Sequence, residues 1–140
     1  MRIAYFMLGL FACHGFAAPQ ASPGQWEVTT KTSVQGPQAM TMPTNTVKFC
    51  MKPEDAKDVS KQVMAGKTMA STECKKMETK LDGDTVKYSM HCDGHTPLDL
   101  NGEVTYKSNA YAGKSHIEMT GPRGKMTVDS EFSAKRLGDC

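Results

Sequence analysis

Strict alternation of apolar and polar residues from Leu98 to Leu137 is the strongest constraint on how this chain folds. Leu98, Leu100, Gly102, Val104 and Tyr106 alternate with Asp99, Asn101, Glu103, Thr105 and Lys107. Tyr111, Gly113, Ser115, Ile117 and Met119 alternate with Ala112, Lys114, His116 and Glu118. Met126, Val128, Ser130, Phe132 and Ala134 alternate with Lys125, Thr127, Asp129, Glu131, Ser133 and Lys135. A period of two sends successive side chains to opposite faces of a strand. The stretch therefore predicts three antiparallel strands with one apolar and one wet face. They turn at Ser108-Asn109-Ala110 and at Gly121-Pro122-Arg123-Gly124.

Upstream, the same pattern recurs in shorter pieces. Trp26, Val28, Thr30, Thr32 and Val34 read as a strand, with Trp26, the single Trp, anchoring one end of the core. A loop follows from Gln35 to Pro43, then a strand holding Val47, Phe49 and Met51. Pro53 to Gly66 is the one helical candidate: Pro53 suits a first turn, Glu54 and Asp55 complement its positive end, and Gly66 suits its close. Cys74 to Leu81 and Thr85 to Cys92 read as a hairpin around Asp82-Gly83-Asp84. The expected fold is mainly β, a curved antiparallel sheet or partial up-and-down barrel of about seven strands with one short helix.

The first residues belong to targeting. Arg2 precedes an apolar run from Ile3 to Ala12, too short to span a bilayer, and small residues follow at Gly15, Ala17 and Ala18. This is the form of a secretory signal peptide over residues 1–17, cut after Ala17 or Ala18, leaving one domain over residues 18–140. A second reading takes Leu10-Phe11-Ala12-Cys13 as a lipobox whose Cys13 is acylated. Of five cysteines, Cys50, Cys74, Cys92 and Cys140 then remain, an even set that predicts two disulfides in an exported chain. Parity favours 50–74 and 92–140 among the three pairings. Cys50 and Cys74 fall opposite the apolar set of their strands, while Cys92 and Cys140 fall in line with it.

Pro23-Gly24-Gln25-Trp26-Glu27-Val28, a Met- and Pro-bearing loop, Val47-Lys48-Phe49-Cys50, Cys74, Cys92 and the closing Arg136-Leu137-Gly138-Asp139-Cys140 form a recognisable set. It resembles the small exported bacterial proteins called domain of unknown function 3617, over essentially the whole mature chain. The resemblance implies a Gram-negative envelope location. It carries over Trp26 and the four cysteines as framework and supplies no activity, substrate or catalytic residue.

Candidate chemistry is sparse. The charge balance, 17 Lys plus Arg against 15 Asp plus Glu, is scattered over wet faces and gives no basic stripe for nucleic acid. No nucleophile elbow, Cys-x-x-Cys pair or phosphate-binding glycine loop occurs. His91, Asp93 and His95 share parity and form the best candidate set for Zn²⁺ or Cu²⁺, set against a turn at Asp93-Gly94 that breaks the alternation. Met40 and Met42, among 11 methionines, are a thioether pair of the type that holds Cu(I). Met77, Met90, Met119 and Met126 have core parity, and Met64 and Met69 are open. Small residues on the apolar face, Gly102, Gly113, Ser115 and Ser130, either leave room for an apolar ligand or only permit curvature. The expectation is a binding or interaction module without cofactor, its partner an apolar small ligand or an envelope protein, with metal handling as the alternative.

Overall fold

Strand-forming residues at every second position leave each strand with one face to bury, and the chain meets that demand with a single antiparallel sheet. The computed structural model describes residues 20–57, 73–75, 77–94 and 96–140. The expected signal peptide, Cys13, Met64, Met69, His95 and the expected helix beyond residue 57 lie outside these residues. The strands are β1 (Gly24–Gln35), β2 (Met40–Thr41), β3 (Asn45–Met51), β4 (Glu73–Cys74), β5 (Glu78–Asp82), β6 (Thr85–Asp93), β7 (Leu98–Lys107), β8 (Ala110–Gly121) and β9 (Gly124–Gly138). One helical turn, α1 (Pro53–Ala56), follows β3, with Pro53 in its first turn and Glu54 and Asp55 behind it.

The sheet runs β2-β1-β9-β8-β7-β6-β4, with β3 sharing the β1 edge and β5 the β6 edge. Nine segments thus occupy seven positions. The C-terminal strands form the expected meander, and β1 lies against β9, between it and the β2/β3 edge. No pairing joins the two edges among the described residues, so the sheet is open. Both edge ribbons are broken. Around Pro43, which has no N–H to offer, the first edge splits into β2 and β3. The expected loop from Gln35 to Pro43 therefore contains a short strand.

On the other edge, Cys74 pairs with Cys92 and Glu78 with Ser89. Between those pairs the register advances four residues on one strand and three on its partner, so one extra residue is inserted, as in a β-bulge. That insertion reverses parity between Cys74 and Leu81 and overturns the pairing that parity favoured. The disulfides are Cys50–Cys140 and Cys74–Cys92. Cys74 and Cys92 face each other across β4 and β6. Gln25 of β1 pairs with Cys50 on one side and Gly138 on the other, so the segment after β9 reaches across β1 to close the first bridge.

The apolar face buries Trp26, Val86, Tyr88, Met90, Leu100, Val104, Tyr106, Tyr111, Ile117 and Ala134. Met77 and Met119 are partly buried against this core, as their parity predicts. Trp26 is fully buried; its Nε1–H donates to the Ser22 carbonyl at 2.9 Å, and its ring lies 5.0 Å from that of Tyr111. Burial pushes the Tyr88 and Tyr111 hydroxyls up to about 12 and the Tyr106 hydroxyl further still.

Gly102 and Gly113 stand directly opposite Tyr88 and Phe132, and the two rings occupy the space their missing side chains leave. A Cβ on Gly102 would lie 2.3 Å from the Tyr88 hydroxyl and 2.5 Å from the Lys114 carbonyl, and one on Gly113 would lie 2.6 Å from the Phe132 ring. At these two positions the small residues therefore serve packing. Gly102→Ala has to move a buried ring and a neighbouring strand, so it costs about 1–3 kcal/mol in urea unfolding; an unchanged midpoint would show that the contact is soft.

Candidate functional site

Register turns the polar face of the sheet into parallel cross-strand rows. One row reads Lys31, Glu131, Lys114, Glu103 and Lys87 across β1, β9, β8, β7 and β6, with the sign alternating at each step. Opposite charges directly across a sheet attract, and like charges there repel. Lys114 Nζ meets Glu103 at 3.2 Å. Lys80 breaks the alternation opposite Lys87, and Lys87 instead turns to Asp82 at 3.1 Å. Nearer the other end of the strands, Glu27 sits between Lys135 at 2.9 Å and Lys48 at 3.5 Å. The hydrogen bond from Lys135 is the main cause holding its carboxyl below the usual range.

The next row reads Ser33, Asp129, His116, Asn101, Ser89 and Glu78. Between this row and the charged one lies a trough of about 950 Å³ that reaches from Thr41 on β2 to Glu78 and Lys80 on β5. Its lining alternates between these two rows and the residues between them, Thr32, Ser130, Ser115, Gly102, Tyr88 and Thr79. The inward residues next along the strands, such as Phe132, Val104, Leu100 and Ile117, do not line it. The trough therefore opens on the polar face, with the middle row contributing its backbone as the floor. A smaller trough of about 460 Å³ lies on the other side of the charged row, beside Thr29, Ser133, Ala112 and Thr105.

Two histidines on this face repeat one arrangement. His91 of β6 stands opposite Asp99 of β7, with Nδ1 at 2.7 Å from Asp99 and Nε2 at 3.0 Å from Asp93 two residues on. His116 of β8 stands opposite Asp129 of β9, with Nδ1 at 2.6 Å from Asp129 and Nε2 at 3.4 Å from Glu118 two residues on. Alternation brings i and i+2 to the same face, and register supplies the acid across the strand. Hydrogen bonds that its ring donates to Asp99, then to Asp93, raise the His91 imidazole above its ordinary value; those to Asp129, then Glu118, do the same for His116. Lys125 at 3.0 Å is the main cause lowering Glu118, followed by His116.

Both imidazoles should titrate above 6.5 by NMR, with Asp99→Asn returning only His91 and Asp129→Asn returning only His116 toward that value. Because the folded-state values are raised, the stabilisation is complete below pH 6.5 and declines as pH rises through them. Both groups are exposed enough that solvent screening keeps the effect small.

Of the expected metal ligands, the structure brings His91 and Asp93 together, and Asp99 joins them in place of His95, which lies outside the described residues. The two carboxylates bind opposite nitrogens of one ring. Among the described residues no three His, Cys, Asp or Glu side chains gather as a metal-holding group. Met40 and Met42 are exposed at the β2 edge, at 55% and 49%. No helix among the described residues is long and apolar enough to cross a membrane. Alternation alone does not single out Asp99 or Asp129, although for Asp129 the sequence carries a signal. A two-residue turn at Pro122-Arg123 pairs Gly121 with Gly124, and counting back along both strands places His116 opposite Asp129.

A family model described as "Protein of unknown function (DUF3617)" matches residues 21–140. Neither a curated protein nor a solved structure matches the chain.

Proposed function

The chain belongs to the DUF3617 family, whose description assigns no activity, and from that premise we propose that it is an exported protein of the Gram-negative periplasm that works by binding rather than by catalysis. The polar trough across the sheet carries this reading: it is a long recess walled by donors and acceptors. Two disulfides support an oxidising compartment. Expression with its own leader, followed by osmotic shock and intact-mass measurement, tests the location. The expected species lacks the leader and the thiol hydrogens of two bridges; a full-length reduced chain in the cytoplasm would remove it. For the binding role, a photo-reactive residue in place of Asn101 should give an adduct in the periplasm that the same residue in place of Ser108, a turn position, does not. Identical patterns from both positions would remove that role.

Metal handling is a second reading, supported by the exposure of the Met40 and Met42 thioethers. Titration with Cu(I) followed by native mass spectrometry tests it, and no retained ion at micromolar excess excludes it.

A further inference from the structure

The dimensions and chemistry of the trough narrow what fits it, and we propose that it binds a linear, extended glycan carrying hydroxyl and amide groups. This rests on the binding reading above and names the ligand class for the same site.

Length comes first. The trough crosses all seven positions of the sheet, from Thr41 to Glu78. Six spacings of ~4.8 Å make it roughly 29 Å long, and its two walls rise from backbone positions about 7 Å apart. A volume of about 950 Å³ over that length leaves a mean cross-section of roughly 33 Å². That shape suits one extended polymer chain and is too narrow and long for a compact metabolite or a helix, whose diameter with side chains is about 10–12 Å.

Chemistry decides which polymer. The wall side chains are amide, hydroxyl, imidazole, carboxylate and ammonium groups, and the charged wall alternates in sign. No Leu, Ile, Val, Met, Phe or Trp lines the trough; apart from Tyr88 its apolar surface is the carbon of polar residues and backbone, which gives an acyl chain no continuous greasy wall. A nucleic acid finds neither a net basic track nor an aromatic platform for its bases. A peptide strand is recognised at a sheet through unpaired edge backbone or through apolar pockets. Here the ladder hydrogen bonds of β1, β9, β8, β7 and β6 run to strands on both sides, and the trough lies across them. A polyhydroxylated chain needs side-chain donors and acceptors in both roles along its length. Glu131, Asn101 and Ser89, on β9, β7 and β6, offer these along it, with no side-chain partner among the described residues.

The test is NMR titration of the oxidised protein with chitohexaose, with maltohexaose and a Ser/Gly hexapeptide as comparisons. Chitohexaose should cause saturable amide shifts confined to the trough strands around Asn101, Ser89, Asp129 and Glu131. Asn101→Trp, at an exposed position in mid-trough, should weaken binding at least about tenfold while leaving the spectrum of the apolar face unchanged. Maltohexaose, which coils, should bind more weakly. No saturation up to ~10 mM chitohexaose, equal binding of the hexapeptide, or unaltered binding by Asn101→Trp each overturns the assignment. If the photo-adduct at position 101 forms and chitohexaose does not bind, the binding module stands and the glycan falls.

Discussion

Replacing Cys50 and Cys140 together by alanine lowers the unfolding free energy by about 4–5 kcal/mol, and replacing Cys74 and Cys92 lowers it by about 3 kcal/mol. The first bridge spans 90 residues and the second 18. A cross-link removes more freedom from the unfolded chain as the loop it closes lengthens. Urea unfolding of the two double variants checks the order. A larger loss from the shorter loop would mean that packing around Cys92, which is fully buried, outweighs loop entropy. Peptide mapping without reduction checks the connectivity directly: the fragment holding Cys50 should leave with the one holding Cys140.

Trp26→Ala carries the second large effect, a loss of about 3–5 kcal/mol. The indole is fully buried, lies tilted against the Tyr111 ring and satisfies its N–H on the Ser22 carbonyl. Its removal leaves a cavity that β1, held between β3 and β9, cannot close by shifting. Trp26→Phe keeps most of the volume and forfeits the hydrogen bond, so it should lose clearly less. Equal losses for both variants would place the energy in the Ser22 contact rather than in packing.

The C-terminal meander was legible because period and turns agree: β7, β8 and β9 lie where alternation from Leu98 onward places them, joined by two-residue turns. The disulfide pairing was not legible. Parity is reliable only while the ladder is unbroken, and a single inserted residue between Cys74 and Glu78 inverts it. Nor does local pattern show that β1 lies beside β9, since that neighbour is chosen by tertiary packing. Within the site, His91 and Asp93 share a strand and were visible as a pair. Asp99 was hidden because the sequence between Asp93 and Leu98 carries no two-residue turn signal that would fix the register in advance.

The adjacency of β1 and β9 has a consequence for the order of assembly. Val28 pairs with Ala134 and Thr30 with Phe132, contacts among the most distant in sequence that this chain makes. Such distant pairings slow folding, because the intervening chain must be ordered before they reward it. The Trp26 strand therefore waits, wet and without its later neighbour, until residues 124–138 have followed. Joining of the sheet between β1 and β9 is thus a late step of assembly.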